Sequence, residues 1–426
     1  MEIFQYPETT KWSELCERPK LATQDLNDLV LKIFNEIQNE GDKAIKKYSR
    51  DFDKVELDKF KVASEELKAA EQQLSEELKA AINLAKSNIE KFHESQTDNK
   101  KVIETASGVN CWRENRAIDK VGIYIPGGTA PLFSTVLMLG IPASIAGCEK
   151  IVLCSPPNAE GKIHPAILYC AQLIGIEEVY AIGGIQAIGA MTFGTGEIPK
   201  VDKLFGPGNQ YVTAAKQIAQ NYGVAIDMPA GPSEVLIIAD RSCKPSFVAA
   251  DLLSQAEHGA DSQVILLSDD QEVITQVMAQ VEAQLEKLPR KELAQKALQN
   301  SKAVLLSSLT DCMTFSNQYA PEHLILATNQ ASTLARQVQN AGSVFLGNYS
   351  CESAGDYASG TNHTLPTNGY ARNYSGVSLD SFVKKITFQE LSADGIKNIG
   401  PAIELMAEAE ELFAHKNAVT LRLKSL

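Results

Sequence analysis

From Val121 onward, short apolar runs alternate with segments of helical spacing, and this constrains the fold more than any other feature. The first series is Val121–Ile125, Lys150–Cys154, Glu178–Ile182, Asp202–Phe205 and Val224–Met228. The second is Val235–Ala239, Gln263–Leu267, Ala303–Leu306, His323–Leu326 and Ser343–Leu346. Strands of this length separated by helices are the pattern of a doubly wound α/β sheet. Two series predict two α/β units, with the break at Met228–Ser233, where Pro229, Gly231 and Pro232 cluster.

The flanks read differently. Residues 1–20 carry no clear pattern. Leu21–Asn39 repeats at helical spacing, with Thr23 as a cap and Gly41 as a stop, and Asp42–Ser49 predicts a second helix. Ser64–Glu94 predicts one long helix, capped at Ser64. A long glycine-rich segment runs from Asn348 to Gly376; in an ordered protein such loops serve function or are disordered. Pro401–His415 predicts a helix beginning at Gly400–Pro401, followed by a strand at Ala418–Leu423.

At 426 residues the chain exceeds one average core, and 44% hydrophobic with 22% charged residues is ordinary globular composition. A net charge of -13 argues against a nucleic-acid or anionic-membrane surface. No apolar run approaches the ~20 residues of a membrane span, and Met1–Gln5, with no basic region followed by an apolar core, gives no expectation of a secretion signal. The eight cysteines are scattered without a Cys-x-x-Cys, as reduced thiols of a cytoplasmic protein are.

Pro245 and Gly259 bracket a predicted helix on which Gln255 and His258, three apart, share a face. An amide oxygen and an imidazole so placed can share a zinc ion, although helix-end polar residues give the same pattern. Glycine-rich turns close strands of the first series: Pro126-Gly127-Gly128, Gly183-Gly184 and Gly206-Pro207-Gly208-Asn209. Such turns let backbone amides approach a cofactor phosphate, or they are plain tight turns; the usual Gly-x-Gly-x-x-Gly is absent. Glu322-His323 precedes a strand and offers two proton acceptors, though a lone pair of this kind is also a common surface feature. Asp356 lies among small residues that can expose a carboxylate to a metal. His93 and His164 read as surface residues. Glu410 and His415, five apart, fall on nearly opposite faces of one helix unless it has already ended.

Several stretches together resemble histidinol dehydrogenases: Tyr124–Gly128, Phe205–Asn209, Asp227–Ser233, Ser254–His258, Pro321–His323, Glu352–Asp356 and Ala414–Asn417. They stand in the family's order and cover the chain from about Asp119 to its end. The resemblance implies two incomplete Rossmann-like units in a homodimer, with an N-terminal helical segment and a C-terminal helical tail that reaches the partner's site. The expected division is residues 1–118, a helical region packing on the second unit; 119–232, the NAD-side unit; 233–376, the unit of the metal and acid/base residues; and 377–426, the tail.

The resemblance further implies oxidation of L-histidinol through L-histidinaldehyde to L-histidine, with reduction of two NAD, as the last step of histidine biosynthesis. Zinc, one per subunit, would be held by Gln255, His258, Asp356 and His415. Glu322 and His323 would be the acid/base residues. Ser233 and Glu410 would join them and the zinc ligands in contacting substrate, and Tyr124, Gln186 and Asn209 would contact NAD. Within the same fold, a zinc- and NAD-dependent relative oxidising another polar alcohol, such as a sulfonated diol, is the nearest alternative. A zinc hydrolase is a second. A structural zinc protein is a third, disfavoured because such sites prefer cysteine.

Overall fold

The computed structural model describes residues 1–19, 24–127, 131–229 and 231–426. The strands are β1 (Glu2–Gln5), β2 (Ile103–Ala106), β3 (Val109–Ala117), β4 (Lys120–Tyr124), β5 (Lys150–Ser155), β6 (Glu178–Ala181), β7 (Lys203–Phe205), β8 (Ala225–Ile226), β9 (Glu234–Ala239), β10 (Gln263–Ser268), β11 (Lys302–Leu305), β12 (His323–Ala327), β13 (Ser343–Leu346) and β14 (Val383–Leu391). Among the described residues they form three sheets. Two are parallel, as the alternation of runs and helices requires: β6-β5-β4-β7-β8 and β1-β11-β10-β9-β12-β13. Both faces of these sheets carry helices, so a strand such as β9 is buried along its whole length and reads as an unbroken apolar run. The chain is a mixed α/β protein. Strand order reverses between β4 and β7 in the first sheet and between β9 and β12 in the second.

The N-terminal region does not pack as one body on the second unit, which corrects that expectation. β1 joins the second sheet's edge, and Trp12, Leu15 and Cys16 pack with Phe315, Tyr319 and Leu324 beneath it. The helices Gln24–Glu40 and Asp42–Tyr48 instead pack on the first unit, where Ile33, Phe34 and Ile37 meet Ile188 and Met191. Gly189 permits this approach, since a Cβ there would lie 2.7 Å from Ile37 Cδ1. The expected cap, Thr23, lies outside the described residues. The expected long helix from Ser64 is broken. Ser64–Ala69 is followed by a 3-10 turn and a new start, where the Ser75 side chain accepts the Leu78 amide and opens Glu76–Glu94. His93 on that helix is buried rather than on the surface, its Nδ1 facing the Ile89 carbonyl at 2.9 Å. His164 is exposed, as expected, and its ring accepts the Ala166 amide.

The C-terminal region also departs from expectation. β14 pairs antiparallel with β3, and β2 completes a third sheet. The following helix is Ala393–Ala409, with Pro401 inside it rather than at its start. It ends at Glu410, the chain turns at Glu411 (φ 59°), and a second helix, Phe413–Lys424, replaces the expected strand. This hairpin leaves Leu405, Met406, Leu412, Phe413 and Leu421 exposed.

Candidate active site and metal centre

Helices in a βαβ unit run antiparallel to their strands, so a helix that follows a strand ends at the sheet's amino edge. The helix Pro245–Ala256, which follows β9, delivers Gln255 in its last turn to the amino edge of β9 and β12. His258 lies just beyond the helix, and its amide donates to the Gln255 carbonyl at 3.3 Å. The expected three-residue spacing thus survives as a turn rather than as a shared helix face.

At that edge the first residue of β9 acts as a hub. The Glu234 amide donates to Glu322 Oε2 at 2.8 Å. Its carbonyl lies 3.2 Å from Gln255 Nε2 and 3.1 Å from His323 Nδ1. Gln255 Nε2 is also 3.0 Å from His323 Nδ1. Gln255, Glu322 and His323 are all buried. Gln255 Oε1 and His323 Nε2 have no hydrogen-bond partner among the described residues. A buried amide oxygen without a donor is costly unless something else, such as a cation, takes it.

His258, Glu352 and Asp356 each bring a ligand atom within 4.8 Å of the others, the grouping of this kind found among the described residues. Asp356 was expected. Glu352 was missed, although its four-residue spacing from Asp356 on the helix Glu352–Tyr357 puts both carboxylates on one face. Ser254 Oγ donates to Glu352 Oε2 at 2.8 Å. Burial pushes the Glu352 carboxyl up, to about 8, with Asp356 adding to the effect. Burial also opposes ionisation of Asp356, but the His323 ring outweighs it and holds this carboxyl down at about 2. For His323, burial favours the neutral ring; Glu322 and Asp356 override it and hold its pKa well above the usual value. One imidazole, two carboxylates and an orphaned amide oxygen make a nitrogen–oxygen donor set suited to zinc.

His363, in the glycine-rich segment, is a further histidine of the site for which no role was expected. Its Nδ1 faces the Asp356 carbonyl at 2.9 Å and its Nε2 faces Thr135 Oγ1 at 3.0 Å, tying the helix that carries Asp356 to the first unit. Burial lowers its pKa. The segment itself is packed, with Asn362, Thr364, Leu365 and Thr367 buried.

A cleft of about 940 Å³ joins this edge to the carboxyl edge of the first sheet. Gly206, Pro207, Gly208 and Asn209 line one wall; Ser233, His258, Glu322 and His363 line the other. The first wall lies at the switch between β4 and β7, where open sheets bind ligands. Gly206 holds φ 121°, and a Cβ there would lie 2.1 Å from the Tyr124 carbonyl oxygen. Asp227 Oδ2 accepts the Gly206 amide at 2.8 Å, and Lys216 Nζ donates to the Gly206 carbonyl at 2.8 Å. Lys216 and Asp227 form a buried ion pair at 2.5 Å. Asn209 caps the next helix through the Tyr211 and Val212 amides. Tyr124 is buried and its hydroxyl accepts the Gly184 amide at 3.1 Å. Gln186 is buried, donates to Asp53 Oδ2 at 3.0 Å and leaves its Oε1 without a partner. Gly128 lies outside the described residues. Asp53, Lys216 and Asp227 were not singled out from the sequence. Asp53 acts through Gln186, far away in the chain, and Lys216 and Asp227 act through a buried pair beneath the Gly206 turn that no local pattern announces.

Not every expected site residue is brought here. Tyr124 and Gln186 are buried and do not line the cleft, and Glu410 and His415 are exposed on the C-terminal hairpin and are not part of the cluster of His258, Glu352 and Asp356. The eight cysteines are free thiols. No helix among the described residues is long and apolar enough to cross a membrane.

The family described as histidinol dehydrogenase matches residues 16–423. A histidinol dehydrogenase of Bacteroides thetaiotaomicron is 59% identical over 426 residues, covering 100% of both chains. The crystal structure of a histidinol dehydrogenase from Elizabethkingia anophelis superposes with a TM-score of 0.98 at 64% identity, covering 100% of this chain and 98% of that one. An acetylating aldehyde dehydrogenase from Geobacillus thermoglucosidasius shares the fold at 13% identity, with a TM-score of 0.51 over 88% of this chain and 93% of its own.

Proposed function

The chain belongs to the histidinol dehydrogenase family, and we propose that it oxidises L-histidinol through L-histidinaldehyde to L-histidine with two NAD and one zinc per subunit, in the cytoplasm. The observation that carries this reading is the cleft itself. It sets Glu322 and the loop-held His258 opposite the Gly206–Asn209 turn, and the donor atoms of His258, Glu352 and Asp356 converge beside His323. Family membership does not favour another polar alcohol or a hydrolytic reaction.

The residues present fit both groups. Gln255, His258 and Asp356 would hold zinc, joined by the partner's His415, with the orphaned Gln255 Oε1 free to serve. Tyr124, Gln186 and Asn209 would contact NAD beside a turn that a side chain at Gly206 would fill. When bound, the nicotinamide supplies the hydride acceptor and zinc orients the substrate's imidazole and amine.

His323 takes the alcohol proton as hydride leaves. Its Nε2 has no hydrogen-bond partner among the described residues and is the ring atom open to accept that proton. Glu322, fixed by the Glu234 amide, activates the water that adds to the aldehyde before the second hydride transfer. Ser233 contacts the substrate from the cleft wall, and the partner's Glu410 does so from the tail.

The dimer belongs to the same proposal. Exposed Leu405, Met406, Leu412 and Phe413 flank Glu410 and lie close to His415 in sequence, an apolar surface of the kind a subunit contact buries. The decisive measurement is NADH yield with limiting L-histidinol, excess NAD and zinc, repeated after chelation. Two NADH per histidinol, lost on chelation, is the expected result. One would mean the aldehyde escapes and Glu322 has another role; none would overturn the reading.

A further inference from the structure

The acid/base pair hangs from Glu234, and Glu234 hangs from an arginine far away in sequence. Glu234 is 1% exposed. Arg18 meets it as a fork, with Nε 2.9 Å from Oε1 and Nη2 2.9 Å from Oε2. Asn368 adds its amide to Oε1 at 2.8 Å. Arg18 is itself fixed, its guanidinium 3.7 Å from the Tyr319 ring centroid and its Nη2 donating to the Tyr319 carbonyl at 2.8 Å. The main chain of Glu234 contacts Glu322, Gln255 and His323. Glu234 therefore ties the guanidinium to the proposed acid/base pair and one proposed metal ligand.

We propose that Arg18 is a positioning residue for Glu322 and His323, acting through the Glu234 fork; this rests on the function proposed above. Two parallel bonds fix the Glu234 side chain in plane and direction, and the β9 main chain keeps its bearing with it. A lysine ammonium offers one point of attachment and no plane, so it cannot replace the fork. The bland alternative is that Arg18 only neutralises a buried carboxylate, as any buried anion requires. The two readings part when both charges are removed together.

The test uses the full-length protein with Arg18→Ala, Arg18→Lys and the double variant Arg18→Met/Glu234→Gln. The double variant removes both charges and keeps a carbonyl acceptor for the Asn368 amide, so it leaves no buried charge unpaired. Positioning predicts that kcat for histidinol falls about 10- to 100-fold in all three, the range typical for groups that orient site residues. The KM values for histidinol and NAD stay within about threefold. Arg18 lines the far end of the cleft, so added guanidinium should restore part of the activity of Arg18→Ala and none in the double variant. Wild-type kcat in the double variant, or in Arg18→Ala, would overturn the proposal.

A readout independent of substrate separates this proposal from the function it rests on. In metal-free protein carrying ¹⁵N-labelled histidine, the His323 ring resonances, assigned with His323→Asn, should move in the double variant. Unmoved resonances would sink the positioning role. Moved resonances in a protein that does not oxidise histidinol would uphold it and sink the assigned reaction.

Discussion

Asp356 Oδ1 lies 3.7 Å from His323 Nε2, so a proposed metal ligand and a proposed base share one electrostatic contact. Each supports the other's charge, the carboxyl held low and the ring held high. Asp356→Asn keeps the shape and removes the charge. Metal affinity, measured by chelator competition, should fall by about two orders of magnitude or more, beyond the 10- to 100-fold typical of outer groups. An unchanged affinity would remove Asp356 from the ligand set.

The tasks proposed for the adjacent His323 and Glu322 differ. His323→Asn should slow both hydride transfers by about 10²- to 10⁴-fold, the usual worth of a general base. Glu322→Gln should spare the first and slow the second. Single-turnover NADH traces resolve the two, and equal losses at both steps in Glu322→Gln would refute this division.

Because His415 is not part of the cluster within its own chain, a mixing experiment follows. His258→Ala and His415→Ala, each inactive alone, should recover partial activity when co-refolded, because one of the mixed dimer's two sites is intact. Confirmed heterodimers with no activity would argue against a shared site.

Asp53 gives a pH signature. Burial raises its folded-state pKa to about 6, against an unfolded value of ~3.9. Between about pH 4 and 6 the folded protein retains a proton that the unfolded chain has released. The associated stability is complete below about pH 4 and lost as pH rises through 6. Asp53→Asn should flatten the decline in Tm across that window. Because Asp53 holds Gln186, the more disruptive Asp53→Ala should raise the KM for NAD more than that for histidinol.

Lys216→Met would leave Asp227 buried without its cation, at a cost of about 3–5 kcal/mol. A clear loss in Tm, with a weakened response to NAD in thermal shift, is expected. A Tm like that of the wild type would mean that Asp227 is held by the Gly206 and Met228 amides alone.

The inner strands of both parallel sheets were legible because they are buried on two faces and read as unbroken apolar runs, whereas the largely exposed edge strand β1 was not. β3 was not: Val109–Ala117 mixes polar with apolar residues, is partly exposed, and finds its partner β14 some 270 residues later. The false strand at Ala418–Leu423 came from valine and leucine on a helix with no buried residue, where apolar content says nothing about period. At the site, residues that present donors to a ligand stood in recognisable stretches. Those that hold them did not. Arg18 and Glu234 are 216 positions apart, and only burial tells a fork of this kind from an ordinary surface pair.

The two walls of the cleft also differ in the sign of their peptide dipoles. The helix Gln210–Ala219 turns its amino end, the positive pole, toward the Gly208–Asn209 side, while Pro245–Ala256 turns its carboxyl end, the negative pole, toward His258. The backbone therefore sorts charge before any side chain acts: phosphates are favoured at one wall and a cation at the other. A ligand bound the wrong way round would meet the opposing pole at both ends.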